Sequence, residues 1–192
     1  MKDKILVMFS GGLDSTYLLH LILQDTRYKH MDVEAHHIRL FNVEKRVRAE
    51  EAAIEKLMKY FQSNDYRKFE LTFSNLELPS RNNRFMWDSD AISFTAGYLC
   101  SIDPSIKSVV IGMNSSDIEP GSDVTRFTRS NEIFCAFTDI EKLYPLNNMS
   151  KHEIFNSLPD GLRKLTWSCR TPVYNFGIPV KCGRCKTCLQ LK

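Results

Sequence analysis

The sequence predicts an α/β fold, with a Rossmann-like parallel sheet that carries helices on both faces. Three observations lead to this prediction. Short apolar runs alternate with amphipathic segments, the first apolar run ends at a pair of glycines, and leucines at helical spacing follow that pair. Alternation of this kind builds βαβ units, in which helices cover a parallel sheet. The ligand site of such a sheet lies at the carboxyl ends of its strands.

Strands and helices follow one another along the chain. Apolar and β-branched runs predict strands over residues 4–9, 33–40, 68–73 and 108–113. Apolar residues at helical spacing predict helices over 15–23, 44–61, 91–100 and part of 125–137. Ser150 followed by Glu153 has the pattern of a capping box, which opens a short helix that ends by Pro159. We expect residues 1–165 to form the main body and residues 166–192 to form an appendage of the same domain.

Composition indicates an ordinary globular chain. Of its 192 residues, 43% are apolar and 26% are charged. The formal net charge is only +3 and the basic residues are scattered, so nucleic-acid binding is not expected. The first apolar run is shorter than the roughly 7 to 15 residues of a signal peptide. No stretch approaches the ~18 apolar residues of a spanning helix, so we expect a cytoplasmic protein without membrane contact.

The glycine pair lies between the first predicted strand and the first predicted helix. Gly11 and Gly12 let backbone amides approach an anion, and the helix directs its N-terminal dipole at the same point. The hydroxyls of Ser10 and Ser15 can donate to phosphate oxygens, and Asp14 is suited to hold Mg²⁺. The alternative is an ordinary turn that uses glycine for a positive φ. We favour a phosphate site, formed by Phe9, Ser10, Gly11, Gly12, Leu13, Asp14, Ser15 and Thr16.

This loop is neither a Walker loop nor a dinucleotide fingerprint, because it lacks the Lys-Ser/Thr pair of the first and the glycine spacing of the second. It resembles the SGGxDS signature of the PP-loop ATP pyrophosphatase superfamily, with matches at Ser10, Gly11, Gly12, Asp14 and Ser15. The resemblance implies that ATP is cleaved between its α and β phosphates and that AMP passes to a carbonyl oxygen, from which a nucleophile displaces it. Ser10, Asp14 and Ser15 are therefore candidate catalytic residues.

Four of the six cysteines lie near the C-terminus, and they predict a metal site. Cys182, Cys185 and Cys188 are separated by two residues each, and Cys169 lies upstream. Four thiolates suit a tetrahedral structural Zn²⁺, with no position left for water or substrate. An iron–sulfur cluster would also take four thiolates, whereas disulfides are not expected in a chain without a secretory signal. Folding of the tail should depend on the metal.

Further motifs resemble those of the 7-cyano-7-deazaguanine synthase (QueC) family over nearly the whole chain. They are the TWSC stretch at 166–169 with the later cysteines, IGMNSSD at 111–117, PSRN at 79–82, YPL at 144–146 and SKHEI at 150–154. The resemblance implies that a carboxylate on a 7-deazaguanine base is converted into a nitrile, with ammonia as nitrogen source and ATP used at two successive steps. It also implies a homodimer.

The resemblance also supplies candidate substrate residues. Arg81 would bind the substrate carboxylate through two parallel hydrogen bonds and is the fourth candidate catalytic residue. Asn114 and Asp117, at the end of a predicted strand, could recognise the amide and amino groups of the base. Asn82 and Asp123 also match the family pattern. The alternative for each is a surface ion pair or an ordinary turn residue.

Two segments depart from the family pattern. Residues 118–125 read IEPGSDVT where the family has YSGYPDCR, and residues 44–50 keep Arg46 and Glu50 of GQRHxxE but lose its Gln and His. We therefore expect altered recognition of the ring, with ATP use and metal binding retained.

Two rival functions are another PP-loop reaction, such as tRNA thiolation or amide formation on a different acid, and a nucleotide-binding module without catalysis. Thiolation needs a reactive cysteine, whereas Cys100 and Cys135 lie in apolar helical patterns and are expected to be buried, inert thiols. A binding module could present the basic tail, which contains Lys181, Arg184, Lys186 and Lys192, although such charges are usually solvated.

Overall fold

The computed structural model describes residues 2–77, 87–117 and 124–191. Within them a five-stranded, all-parallel sheet has the order β3-β2-β1-β4-β5. Its strands are β1 (Lys4–Met8), β2 (Asp32–Phe41), β3 (Glu70–Glu77), β4 (Ile106–Ile111) and β5 (Lys142–Leu143). The predicted substrate residues Arg81, Asn82 and Asp123 lie outside the described residues.

Helices cover both faces of the sheet, as predicted. They are α1 (Leu13–Gln24), α2 (Val47–Ser63), α3 (Asp88–Ile102), α4 (Val124–Cys135), α5 (Lys151–Ser157) and α6 (Asp160–Arg163), with short 3-10 turns at Thr26–Tyr28 and Ser115–Asp117. No helix of the described residues is long and apolar enough to cross a membrane.

The two faces of β1 pack into two separate apolar clusters. Ile5 and Val7 pack with residues of α1, α2, α5 and α6, whereas Leu6 and Met8 pack with residues of α3, α4 and β4. Alternate side chains of a strand point to opposite faces, so a central parallel strand that is covered on both faces is apolar throughout. This explains why β1 is a continuous apolar run from Ile5 to Met8.

The order of the strands creates a crevice beside β1. The chain adds β2 and then β3 on one side of β1, and it then places β4 on the other side. The connections that leave β1 and β4 therefore separate at their carboxyl ends, which is where an open parallel sheet binds ligands.

Strand β3 begins later and runs further than predicted, from Glu70 to Glu77 rather than over residues 68–73. It is one of the two edge strands of the sheet, and from Phe73 onwards its residues alternate between exposed and half-buried. Asn75 and Glu77 are exposed, so the second half of the strand lacks the apolar run that the prediction relied on.

Cys135 corrects one expectation. Cys100 is buried as predicted, but Cys135 is exposed. Its neighbour Phe134 is fully buried. Because successive helical residues are rotated by about 100°, the end of α4 turns Cys135 towards solvent.

The tail contains more regular structure than the predicted loop. Strands β6 (Val173–Asn175) and β7 (Ile178–Val180) form an antiparallel hairpin, and α7 (Lys186–Gln190) follows. The two hairpin turn residues, Phe176 and Gly177, both have positive φ, as the common two-residue hairpin turn requires. The predicted capping box is confirmed, since the Ser150 and Glu153 side chains each accept from the other's backbone amide.

Candidate ATP site and metal centre

A cleft of about 310 Å³ lies at the carboxyl ends of the central strands. Its lining includes most of the predicted phosphate-site residues and both predicted substrate residues that the structure describes: Phe9, Ser10, Gly12, Leu13, Asp14, Ser15, Asn114 and Asp117. Gly11 and Thr16 are not among the lining residues. Gly11 packs against Ile54 of α2, and Thr16 is fully buried.

The loop between β1 and α1 is held in one conformation by short contacts. The Ser15 hydroxyl accepts from the Ser10 amide at 3.1 Å and lies 3.0 Å from the Ser10 hydroxyl. Gly11 has φ +70°, and a Cβ there would lie 2.8 Å from Ile54 Cγ1. The position therefore requires glycine for both conformation and space. The loop therefore has a fixed shape at the N-terminus of α1, a position where proteins readily bind anions.

The Asp14 side chain is less exposed to solvent than that of a typical loop residue. It lies in the first turn of α1, and its side chain is 19% exposed. Asn114 Nδ2 and Lys151 Nζ donate to its Oδ2 at 3.4 and 3.1 Å. Among the described residues, its buried Oδ1 has no hydrogen-bond partner. Burial raises the pKa of Asp14, and the Lys151 ammonium opposes this effect. A divalent cation on Oδ1 would supply the missing partner.

The end of β4 approaches the loop closely. A Cβ at Gly112 would lie 3.1 Å from backbone atoms of Asp14 and Ser15. In the turn that follows, Asp117 Oδ2 accepts from the Asn114 amide at 3.2 Å. Gly112 thus allows Asn114 to reach Asp14, and the predicted loop and substrate residues meet in one place.

The tail contacts the loop directly. The Trp167 amide donates to the Gly11 carbonyl at 2.9 Å, and the Leu13 amide donates to Ser168 Oγ at 3.1 Å. Trp167 Nε1 donates to the carbonyl of Cys169 at 3.1 Å. We call these two residues, Trp167 and Ser168, the clamp, because they hold both sides of the glycine pair. In the sequence, these two residues stand out only as part of the TWSC motif.

A buried ion-pair cluster connects α2, α3 and the tail at the edge of the cleft. Arg46 contacts Glu50 at 2.7 Å and Asp88 at 2.8 Å, and Arg170 contacts Asp88 at 2.7 Å. Burial raises the pKa of Glu50 to about 7, although Arg46 opposes this shift. The two residues kept from the family pattern, Arg46 and Glu50, therefore lie beside the candidate site. Asp88 carried no signal in the sequence.

Two histidines of β2 complete the lining. His37 Nδ1 lies 3.1 Å from the Phe9 carbonyl, and burial lowers the pKa of His37 to about 4. The ring is therefore neutral near pH 7. Its Nδ1 carries the proton and donates to that carbonyl, and its Nε2 can accept a hydrogen bond. His36 lies between Thr72 and Ser74 of β3, at 2.8 and 3.0 Å. Neither histidine was predicted as a site residue.

The four tail cysteines come together as predicted. Their Sγ atoms all lie within 4.8 Å of one another. The Cys182 amide points at Cys169 Sγ and the Cys185 amide at Cys182 Sγ, both at 3.3 Å. A hydrogen bond from the Thr171 hydroxyl contributes most to lowering the pKa of Cys182 to about 5, which favours the thiolate. Amide donors and thiolates in this arrangement fit a bound metal.

Comparisons with known proteins agree with this architecture. No curated protein matches the chain. Among solved structures, the U34-tRNA thiolase NcsA from Methanococcus maripaludis, with its [4Fe-4S] cluster, matches with a TM-score of 0.52 and 15% sequence identity. The match covers 85% of this chain and 56% of the thiolase chain, so this chain spans little more than half the thiolase's length. At this identity the likeness shows the fold alone.

The match to a family is more extensive. The family described as "Queuosine biosynthesis protein QueC" matches residues 4–192. The matched region contains the phosphate loop, both predicted polar residues after β4 and all four clustered cysteines. Because the match covers nearly the whole sequence, the chain belongs to the QueC family.

Proposed function

We propose that the protein converts 7-carboxy-7-deazaguanine and ammonia into 7-cyano-7-deazaguanine at the expense of two ATP molecules. One observation carries this proposal: the phosphate loop and the polar residues after β4 line the same cleft, where Asn114 donates to Asp14. A nucleotide on the loop and an acid held near β4 would therefore lie side by side.

The chemistry follows from the poor leaving ability of a carboxylate oxygen. In the first step, a carboxylate oxygen attacks the α-phosphorus of ATP and pyrophosphate leaves. Ammonia then attacks the acyl carbon and displaces AMP, which gives the amide. In the second step, the amide oxygen attacks the α-phosphorus of another ATP and pyrophosphate leaves. The resulting imidoyl adenylate then loses AMP and its remaining N–H proton to give the nitrile.

The loop supplies the charge stabilisation that both steps need. Its backbone amides and the hydroxyls of Ser10 and Ser15 would bind phosphate oxygens, and Lys151 brings a cation to the same corner. Asp14 would hold Mg²⁺, which neutralises charge on the departing pyrophosphate. Arg81 remains the proposed partner of the substrate carboxylate, and Asn82 and Asp123 remain predicted substrate residues.

We propose zinc for the cysteine cluster. Four sulfurs bound to one Zn²⁺ at ~2.3 Å lie about 3.8 Å apart in a tetrahedron. The observed separations, none of which exceeds 4.8 Å, are compatible with that value. The thiolates of a four-iron cluster bind different irons and stand farther apart. With four sulfurs around one ion, the metal is structural.

Thiolation is the less suitable alternative. The cysteine that lines the described part of the cleft is Cys169, which belongs to the metal cluster. Cys100 is buried in the core, and burial raises its pKa to about 11. A thiol with such a pKa is a poor nucleophile at neutral pH.

The test is a product assay. Purified protein is incubated with ATP, Mg²⁺, ammonium and 7-carboxy-7-deazaguanine, and the base is followed by mass spectrometry. The proposal predicts first the amide and then the nitrile, with neither formed by Asp14→Ala. ATP cleavage with another acid but not with this one would support a different PP-loop ligase, and ATP binding without turnover would support a binding module.

A further inference from the structure

A second, smaller cavity adjoins the ATP cleft. It measures about 150 Å³ and lies beyond the carboxyl end of β4, between α3 and α4. Five residues line both spaces, namely Asp88, Ile92, Ile111, Gly112 and Asp117. A molecule in the second cavity would therefore be in contact with the wall of the cleft.

The walls of this cavity suit a flat, aromatic ligand. The rings of Phe127 and Tyr144 lie with their centroids 5.8 Å apart at an angle of 51°. Met113 and Ile92 add a thioether and an aliphatic surface. Phe127 is 41% exposed, although a phenyl ring is costly to leave in water. Ring faces and a polarisable sulfur pack well against a heterocycle.

The serines of the cavity already have partners within the protein. Ser93 Oγ and Ser130 Oγ lie 2.7 Å apart, and Lys142 Nζ donates to Ser93 Oγ at 3.2 Å. Ser130 Oγ also donates to the Ser89 carbonyl at 3.2 Å. These contacts fix the wall formed by α3 and α4 without help from a ligand.

Asp88 presents an acceptor at the junction of the two spaces. Its Oδ2 accepts from Arg46 and Arg170 at 2.8 and 2.7 Å, which fixes the carboxylate. Its Oδ1 is buried and has no hydrogen-bond partner within the described part of the chain. A buried acceptor without a partner is costly, so this atom calls for an N–H or O–H donor.

We propose that this second cavity is the subsite for the ring of the substrate. Phe127, Tyr144 and Met113 pack against a purine-like base, and Asp88 Oδ1 accepts from its ring N–H or exocyclic amino group. The inference rests on the proposed function, because it takes the cleft as the place of ATP and the base as the acid that is activated. A base with a lactam N–H and an amino group supplies the donors that Asp88 needs, whereas a base with an acceptor at that edge does not.

The arrangement also accounts for the direction of the reacting group. Gly112 and Asp117 belong to the five residues that line both spaces, so a substituent on the ring that points past them enters the ATP cleft. The carboxylate can therefore reach the nucleotide while the ring stays in the second cavity.

The test is a binding measurement on two probes. Calorimetry with 7-carboxy-7-deazaguanine and with 7-deazaguanine, which lacks the carboxylate, is performed on the wild type, Phe127→Ala and Asp88→Asn. We expect at least tenfold weaker binding of both probes in each variant, because stacking or the charged acceptor is lost. Affinity for ATP should stay within twofold in Phe127→Ala.

Phe137→Ala is the matched control. Phe137 is also a partly exposed aromatic residue, 36% accessible, but it packs on Phe94 and does not line the cavity. Its replacement should leave base binding unchanged. Equal losses in Phe127→Ala and Phe137→Ala, or unchanged binding in Phe127→Ala, would overturn the subsite. Because Phe127 is exposed, this variant stays informative even if Asp88→Asn disturbs the ion-pair cluster.

The subsite and the proposed function fail in different ways. If the wild type forms the nitrile while Phe127→Ala and Asp88→Asn keep the wild-type KM for the base, the subsite is wrong and the function stands. If the wild type splits ATP but neither binds these bases nor forms the nitrile, the proposed function is wrong and the subsite falls with it. Nitrile formation with a KM raised at least tenfold in both variants supports both.

Discussion

Asp14 joins three parts of the chain at a single carboxylate. It belongs to α1, its Oδ2 accepts from Asn114 after β4 and from Lys151 of α5, and its Oδ1 is buried without a partner among the described residues. Such an atom destabilises the free protein slightly and favours a bound cation. This arrangement is what our proposal expects of a residue that serves ligand binding more than stability.

We predict that Asp14→Ala abolishes ATP consumption while the protein stays folded. Ser10→Ala should have the same effect, because Ser10 is exposed and contributes only to the loop. Loss of a buried, partly unpartnered carboxylate should change the free energy of unfolding by less than ~2 kcal/mol. Release of AMP measures activity, and chemical unfolding measures stability. Normal AMP release by either variant would contradict the assignment of the loop.

At the scale of elements, the structure joins the cysteine-containing tail to the loop between β1 and α1. Ser168 Oγ accepts from the Leu13 amide although the two residues are 155 positions apart, and the next residue is the buried cysteine Cys169. A hydroxyl that accepts from this amide can donate its own proton to a phosphate oxygen. The clamp is therefore placed to help both the loop and the nucleotide.

Ser168→Ala should weaken ATP binding about threefold to tenfold, the usual effect of losing one hydrogen bond. Ser101→Ala is the control, because Ser101 is an exposed hydroxyl of α3 that donates to the Tyr98 carbonyl. Affinity is measured by calorimetry without substrate. Tighter ATP binding in Ser168→Ala would show that the Ser168 hydroxyl blocks the Leu13 amide. Unchanged binding would show that the hydroxyl plays no part in binding ATP.

The cysteine cluster should contain one zinc ion per chain. Cys185→Ser is expected to lose the metal and to lower the melting temperature, since metal binding is coupled to folding in such sites. Because the clamp adjoins Cys169, the metal-free protein should also bind ATP more weakly. Elemental analysis measures the metal. Iron, or a stable chain without metal, would contradict the prediction.

At the scale of the whole molecule, features that depend on neighbouring residues could be predicted from the sequence. Contacts between residues that are distant in the sequence could not. The loop and the cysteines have their patterns within a few neighbouring residues, so the glycine turn after β1 and the clustering of the cysteines were predictable. Lys151, Asp88 and His37 reach the cleft only because of strand order and helix packing. Cys135 was placed wrongly because an apolar pattern does not say which side of the last helical turn faces the core.

The core also contains a titratable group that sets a pH dependence of stability. Lys142 is only 8% exposed, its Nζ donates to Ser93 Oγ and the Ser130 carbonyl, and burial lowers its pKa to about 8. In the unfolded chain a lysine has a pKa of about 10.4. Between these values the unfolded chain binds a proton that the folded protein does not, so stability rises with pH.

We therefore predict that the free energy of unfolding rises between pH 8 and about 10.4 in the wild type relative to Lys142→Met. At about 1.4 kcal/mol for each unit of pKa difference, the change is at most about 3 kcal/mol. Urea unfolding of both proteins at several pH values measures it. Parallel stability curves for the two proteins over this range would contradict the prediction.

The central claim, that ATP activates the substrate carboxylate itself, is tested most directly by oxygen transfer. 7-Carboxy-7-deazaguanine with ¹⁸O in both carboxylate oxygens is incubated with the enzyme, ATP, Mg²⁺ and ammonium, and the AMP is analysed by mass spectrometry. We expect two AMP molecules for each nitrile, each with one ¹⁸O, because each carboxylate oxygen leaves on an adenylate. Unlabelled AMP, or ADP in its place, would contradict it.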